Sequence, residues 1–196
     1  MKKFIHVKLI SMLVILLAIP FALASCSNDD ESPKPNPVTI SFDDLNGEYT
    51  GKASVSQGTV NGETAVAFTA KKNLISYSEF PMKEIIYSVI SDPVKANQAL
   101  TAIGKIKYDL DYTAVLYQYK KEIELNLLPK ELTVQVPIDG VNKKVVITFT
   151  ASKKGLFTKQ SKQNMNFELL ASKITVEGTA VNPFNPIKYN FQMLKK

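Results

Sequence analysis

Apolar and polar residues alternate along much of the chain, most regularly between residues 106 and 116. Successive side chains of a β-strand point to opposite faces of a sheet, so this period of two predicts a strand with one buried and one solvated face. The exposed face would carry Lys105, Lys107, Asp109, Asp111 and Thr113. The buried face would carry Ile106, Tyr108, Leu110, Tyr112, Ala114 and Leu116.

Shorter runs of similar character predict further strands on both sides of this one. They span residues 48–56, 64–70, 73–80, 120–127, 132–136, 144–151, 164–170, 173–177 and 187–194. Two dipeptides, Asn61-Gly62 and Asp139-Gly140, are expected to form hairpin turns, because Asn, Asp and Gly tolerate the positive φ angles of tight turns. This succession predicts a mainly antiparallel sheet.

One segment has helical spacing instead. Apolar residues recur three or four positions apart from Met82 onward, and Asp92-Pro93 is typical of a helix N-cap followed by proline in the first turn. Gly104 is expected to end the helix. We therefore predict one or two short helices at about residues 82–103, covering a barrel end or a sheet face. The inward-facing positions of the second part would be Val94, Leu100 and Ile103.

These elements predict a mainly β protein with a short helical insertion, an α+β arrangement for which two architectures remain open. One is a closed antiparallel β-barrel, and the second choice is a β-sandwich. Residues 45–51, Leu-Asn-Gly-Glu-Tyr-Thr-Gly, resemble the start of lipocalin or calycin-like domains, where a glycine-aromatic segment leads the first strand. This resemblance implies the barrel.

The first 25 residues have the composition of a signal peptide. Lysines precede an apolar stretch at residues 9–23 that is too short and interrupted for a membrane span of about 20 apolar residues. The stretch ends in Leu23-Ala24-Ser25-Cys26, which resembles the lipobox of bacterial lipoproteins. Cys26 is the only cysteine of the chain, and we expect it to carry the palmitate-type acyl chains that would anchor the protein to a membrane.

An acidic, proline-rich segment at residues 26–37 separates this signal from the rest of the chain. It has nothing to bury, so we expect an extended tether leading to one globular domain at residues 38–196. The acid run Asp29-Asp30-Glu31 is explained either by solvation of the tether or by an export signal. A cluster of this kind soon after the lipidated cysteine resembles the surface-export signal of Bacteroidales-type lipoproteins.

The lipobox, the acidic tether, residues 46–51 and Phe80-Pro81 at the start of the helical segment together resemble Bacteroidales lipoproteins of an uncharacterised family, a domain of unknown function. The resemblance implies an outer-membrane lipoprotein exposed at the cell surface. A periplasm-facing lipoprotein is the alternative. The resemblance implies no catalytic residue.

Composition excludes several kinds of chemistry. The only histidine, His6, lies in the signal segment, and the chain contains no arginine. A processed chain would therefore have no histidine base, no histidine or thiolate ligand for a transition metal, and no guanidinium fork for phosphate or guanine. The formal charge of +6 falls by half without Lys2, Lys3 and Lys8. We predict no cofactor, no metal and no nucleic-acid partner.

Carboxylates are the remaining candidates for catalysis. Asp109 and Asp111 share one face of a predicted strand, as do Glu122 and Glu124, and glycoside hydrolysis uses two carboxyl groups about 5–10 Å apart. Lysines surround these acids in the pattern, so cross-strand ion pairs are the expected role. The pair Asp43-Asp44 suggests turn residues rather than a calcium site, because no complete oxygen-ligand loop is present.

Five aromatic residues are the candidates for lining a ligand cavity, since inward aromatics of a barrel serve either as core or as pocket wall. They are Tyr77, Phe80, Tyr87, Tyr108 and Tyr112.

Two functions from different classes follow. The first is a non-enzymatic, membrane-anchored lipoprotein that binds a glycan, an apolar small molecule or a partner protein, or serves as an accessory module. The second is a glycan hydrolase that uses carboxylates alone. The sequence favours the first, because a processed chain would have no histidine, no cysteine nucleophile and no arginine.

Overall fold

The computed structural model describes residues 39–196, so Cys26 and the acid run Asp29-Asp30-Glu31 lie outside it. The described chain is mainly β, with eleven strands in one antiparallel sheet and two short α-helices. The strands are β1 Gly47–Gln57, β2 Val60–Lys71, β3 Leu74–Tyr77, β4 Tyr108–Tyr117, β5 Glu122–Leu128, β6 Leu132–Ile138, β7 Val141–Thr150, β8 Gly155–Lys159, β9 Gln163–Val176, β10 Thr179–Ala180 and β11 Ile187–Lys195. The helices are α1 Lys83–Val89 and α2 Pro93–Ile103. Neither helix is long and apolar enough to cross a membrane.

The strand pairings form a cyclic series. They lead from β11 through β1, β2, β3, β4, β5 and β8 to β9, and β9 also pairs with β11. Because β9 is long, its first residues pair with β8 and its last residues pair with β7. The β6–β7 hairpin is thereby added to the wall beside the second half of β9, with β6 at its edge.

The predicted faces of β4 are confirmed. Tyr108, Leu110 and Tyr112 are buried, whereas Lys107 and Asp109 are exposed. The alternation is visible because only one face of this strand packs on the core.

Several details of the predicted strands are wrong, and no strand was predicted at β8. The first hairpin turns at residues 58–59, and Asn61 instead lies in β2 opposite Ser56. Gly58 adopts the positive φ of 57° that the turn requires, so a glycine three residues before the Asn-Gly pair takes its role. The two strands predicted at residues 164–170 and 173–177 are one strand, β9, which passes an irregularity in its pairing with β7 opposite Thr148 and Phe149.

Both helices fall in the predicted insertion. Asp92 caps α2, its Oδ1 accepting hydrogen bonds from the backbone N–H groups of Val94 (2.8 Å) and Lys95 (3.1 Å). Gly104 ends the helix with a φ of 62°. The predicted inward position of Val94 is wrong, since this side chain is 66% exposed. The fully buried positions of α2 are Ala96 and Ala99, because small residues let the helix lie close to β6.

Aromatic side chains fill the interior. Phe80, which follows β3, lies at the centre of this cluster, with ring centroids 5.1 Å from Tyr108, 5.3 Å from Tyr77 and Phe149, and 5.4 Å from Tyr189. No polar or charged residue among residues 39–196, tyrosines aside, is buried. The interior is therefore stabilised by apolar burial and aromatic packing.

The amino-terminal segment, residues 39–46, crosses one end of the sheet. It includes a 3-10 turn at Phe42–Leu45. The Tyr49 hydroxyl donates to the carbonyl of Leu45 (2.9 Å), and the side-chain amide of Gln118 donates to the carbonyl of Ile40 (3.1 Å). Gln118 begins a second 3-10 turn, Gln118–Lys120, between β4 and β5. The helices lie at the opposite end, so the two ends of the sheet are covered by different elements.

Candidate binding clefts

The five predicted ligand-lining aromatics lie in two settings. Tyr77, Phe80, Tyr108 and Tyr112 are all buried, and the first three pack against one another. Tyr87 is half-buried on α1, and its hydroxyl lies 3.0 Å from Oδ1 of Asn97. Phe80 alone also reaches a cleft, described below. Core packing therefore accounts for most of this set.

The buried tyrosines differ in the partners of their hydroxyl groups. The Tyr108 hydroxyl donates to the carbonyl of Lys130 at 3.0 Å, and the Tyr189 hydroxyl donates to that of Pro81 at 3.3 Å. The Tyr77 hydroxyl is buried with no hydrogen-bond partner among the described residues. Burial raises the pKa of Tyr77 well above 10 and that of Tyr108 to about 12. These phenols are neutral at physiological pH and do not provide a phenolate nucleophile.

A cleft of about 550 Å³ lies between α2 and the β6–β7 turn, and we call it the helix–hairpin cleft. Ligand pockets typically occupy about 300–1,000 Å³ and combine an apolar lining with a few polar groups. This cleft has both kinds of group. Its apolar wall includes Ile90, Ala99, Ala102, Pro137 and Ile138, and its polar groups include Asp92, Lys95, Gln98 and Asp139.

An ion pair crosses the rim of the helix–hairpin cleft. The Lys95 ammonium lies 2.7 Å from Oδ1 of Asp139. The hydrogen bond from Lys95, followed by its charge, lowers the pKa of Asp139, and the reciprocal contact raises the pKa of Lys95. Both groups are therefore charged at neutral pH. Exposed pairs of this kind contribute little stability, so the pair mainly sets the polarity of the rim.

A second cleft, of about 520 Å³, follows the edge of β2, and we call it the strand-edge cleft. It exists because β2 pairs with β3 only from Thr69 to Lys71. The remainder of β2 faces the segment that leads from β3 into α1, where Phe80 and Met82 form part of the wall. Three carboxylates, those of Glu63, Glu79 and Glu84, also line it. Glu63 is paired with Lys52 and Glu79 with Lys105, each at about 3 Å.

The acids considered for catalysis lie on the outer face of the sheet. Asp109 is exposed, and Asp111 pairs with Lys130 at 2.5 Å. Glu124 pairs with Lys154 at 2.6 Å, and Glu122 is half-buried near the start of β5. Within residues 39–196, no group of three or more His, Cys, Asp or Glu side chains is arranged to hold a metal ion.

Both clefts depend on contacts that the sequence does not display. The N-cap at Asp92 and the turn at Asp139-Gly140 are recognisable as separate local signals. The contact that brings the helix and the turn together, between Lys95 and Asp139, joins residues that are 44 positions apart. The polar residues at the N-terminus of α2 were the available signal, but they indicate a helix cap as readily as a binding site.

A comparison with protein families identifies one match. The family model described as a domain of unknown function (DUF4840) matches residues 44–176, which include β1 to β9 and both helices. No match was found among curated proteins or among solved structures.

Proposed function

This chain belongs to the DUF4840 family, and we propose that it is a non-catalytic binding or accessory module, anchored by lipid on Cys26 at the outer surface of a Bacteroidales-type outer membrane. The observation that carries the binding role is the helix–hairpin cleft, with its apolar wall and charged rim. The anchoring role rests on the lipobox-like sequence that ends at Cys26.

The proposed architecture is a closed, lipocalin-like β-barrel. The cyclic pairing of eight strands supports it, since pairing of β9 with β11 returns the series to its start. Each of these eight strands would then pair on both sides over at least part of its length, with β2 unpaired on its β3 side before Thr69. The aromatic side chains would then occupy the barrel interior, which favours a binding site on the outside of the wall.

The helix–hairpin cleft is best suited to a neutral ligand with an apolar surface and several hydroxyl groups, as in a short glycan. Ile90, Pro137 and Ile138 would contact the apolar surface. The carboxylates of Asp92 and Asp139 and the amide of Gln98 would accept hydrogen bonds from hydroxyl groups. With two acids and one lysine at the rim, the cleft disfavours an anionic ligand.

Several features favour binding over hydrolysis. A glycosidase needs one carboxyl group with a raised pKa to act as general acid. Asp139, at the rim of the helix–hairpin cleft, instead has a lowered pKa. Asp111 and Glu124 are each paired with a lysine on the outer face of the sheet, as expected for cross-strand charges rather than for an acid–base pair.

A glycan-binding measurement with two tryptophan variants tests the proposal. Ala102→Trp places a large side chain in the cleft from an exposed position of α2, whereas Val94→Trp alters the same helix outside the cleft. The full chain would be screened against immobilised neutral oligosaccharides. We expect binding by the parent and by Val94→Trp, and loss of binding by Ala102→Trp. Equal binding by both variants, or hydrolysis of the bound oligosaccharide, would contradict the proposal.

A further inference from the structure

The end of the sheet crossed by residues 39–46 is rich in lysine, and we call it the lysine-rich end. It comprises this segment with Glu48, the β2–β3, β4–β5 and β8–β9 turns with their flanking residues, and the carboxyl terminus. Contacts with the segment join these parts. The backbone N–H of Lys72 donates to the side-chain oxygen of Asn46, and the ammonium groups of Lys159 and Lys195 donate to Asp44.

Charge is distributed unevenly between this end and the rest of the described chain. Eight of the twenty lysines at residues 39–196 lie here, together with four of the fifteen acids. The other twelve lysines are nearly balanced by eleven acids, so most of the excess positive charge is at one end. The eight lysines are Lys71, Lys72, Lys120, Lys121, Lys159, Lys162, Lys195 and Lys196, and the four acids are Asp43, Asp44, Glu48 and Glu122.

Exposed aromatic side chains accompany these lysines. Phe42 is 50% exposed and Tyr119 is 78% exposed. They are the two aromatic residues among the large exposed hydrophobic residues of the described chain. The Lys120 ammonium lies 5.6 Å from the Tyr119 ring centroid and 5.5 Å from that of Tyr117. Aromatic and lysine side chains together are typical of surfaces that contact the headgroup region of a membrane.

The described chain begins at the lysine-rich end, and this determines which end of the sheet lies nearer the proposed anchor. The described chain starts at Thr39, beside the lysine-rich end, and Thr39 is 13 residues after Cys26. Thirteen residues span at most about 45 Å. An anchor at Cys26 would therefore hold this end close enough to touch the membrane, while the helices are at the other end.

We propose that the lysine-rich end docks on an anionic lipid surface, with Phe42 and Tyr119 entering the headgroup region and the exposed lysines of this end facing lipid phosphates. The inference rests on the proposed lipid anchor at Cys26, which supplies proximity, and adds a fixed orientation. The helix–hairpin cleft would then face away from the membrane, where a ligand has access to it.

The orientation can be measured with tryptophan reporters, because the chain has no tryptophan of its own. Tyr119→Trp places a reporter at the lysine-rich end, and Val141→Trp places one on the β6–β7 hairpin, where Val141 is 61% exposed. The full chain would be purified from membranes and reconstituted into phosphatidylcholine vesicles with or without phosphatidylglycerol. Quenching by lipids labelled at the headgroup would be recorded for each reporter.

We expect quenching and a blue shift for Tyr119→Trp in vesicles with phosphatidylglycerol, and neither change for Val141→Trp. Quenching should be lost at 1 M salt, where the Debye length is about 3 Å. It should also be lost when Lys71, Lys120 and Lys162 are changed to Glu in the Tyr119→Trp chain. The matched control changes Lys83, Lys107 and Lys173, which are exposed outside the lysine-rich end, to Glu and should leave quenching intact.

Similar quenching of both reporters, quenching of neither, or insensitivity to lipid charge would overturn the proposed orientation. So would a response to soluble dextran sulfate without a response to vesicles, which would assign this end to a polyanionic glycan. The mass of the amino-terminal peptide from the same preparation reports separately on lipidation of Cys26. Failure of the anchor and failure of the orientation are thereby distinguished.

Discussion

The ammonium of Lys159, at the end of β8, lies 2.7 Å from Oδ1 of Asp44 in the amino-terminal 3-10 turn. The second carboxylate oxygen of Asp44 accepts a hydrogen bond from the backbone N–H of Ser41 at 2.8 Å. Both partners of this ion pair are more than two-thirds buried, unlike the other pairs among the described residues. The pair therefore connects the amino-terminal segment to β8 and stabilises its position across the end of the sheet.

This arrangement predicts a pH-dependent contribution to stability. Partial burial would raise the pKa of Asp44, but hydrogen bonds from Lys159 and Ser41 and the Lys159 charge together lower it below its ordinary value of 3.8. A lowered folded-state pKa stabilises the fold above the unfolded-state pKa, and the contribution is lost as the pH falls through the folded-state value. Asp44→Asn should therefore lower the free energy of unfolding by about 1–2 kcal/mol at pH 7 and by less at pH 2. Urea denaturation at both pH values, with Asp43→Asn as the exposed control, measures this; an equal loss at both would refute it.

The unpaired hydroxyl of Tyr77 leads to a second prediction. Removing a buried hydroxyl that lacks a partner breaks no hydrogen bond, and it removes the cost of taking that hydroxyl out of water. Tyr77→Phe should leave the free energy of unfolding unchanged or increase it. Tyr49→Phe is the matched control, because the equally buried Tyr49 donates to Leu45 at 2.9 Å, and it should cost about 1 kcal/mol. Thermal or chemical unfolding compares the two, and a larger loss for Tyr77→Phe would indicate a hidden partner, such as a buried water.

The two faces of β4 give a third prediction. Leu110 is fully buried, and the neighbouring Asp109 is exposed. Leu110→Ala should lower the free energy of unfolding by about 2–5 kcal/mol, as core truncations do, while Asp109→Ala should change it by less than about 0.5 kcal/mol. Denaturant titration of both variants tests this, and the reverse ranking would place Asp109 on the buried face.

The local elements of this fold were largely predictable, but the long-range arrangement was not. The strand period at residues 106–116, the Asp92 cap and the Gly104 stop are signals that act within a few residues, and each is confirmed. The first turn was misplaced because Gly58 and Asn61-Gly62 offer competing sites, and pairing with β11 helps to decide the register.

Packing also determines which helical residues are buried. Val94 is the more hydrophobic side chain, yet Ala96 and Ala99 face the core because α2 lies against β6. At Gly51, too, a contact with a distant part of the chain determines which residue fits. A side chain there would collide with the carbonyl of Gln192 in β11, a contact between residues 141 positions apart. For the same reason neither cleft could be located from the sequence.

The acid run near the proposed anchor gives a fourth prediction. Changing Asp29, Asp30 and Glu31 to Ala should leave lipidation intact but retain the protein on the inner leaflet of the outer membrane. The reason is the resemblance of this run to a surface-export signal, since solvation alone would be equally well served by neutral polar residues. Antibody labelling of whole cells, compared with permeabilised cells, detects the change. Unaltered labelling of the variant, or complete protection of the parent in intact cells, would support a periplasm-facing lipoprotein instead.

The proposed surface location and the proposed membrane orientation both depend on lipidation of Cys26. The most direct measurement is incorporation of labelled fatty acid by the full chain and by Cys26→Ala in growing cells, followed by the mass of the amino-terminal peptide. Lipidation should give label in the parent, with a chain that starts at the modified Cys26, and an unlabelled Cys26→Ala chain that retains its first 25 residues. Label in Cys26→Ala, or an unlabelled parent, would contradict it.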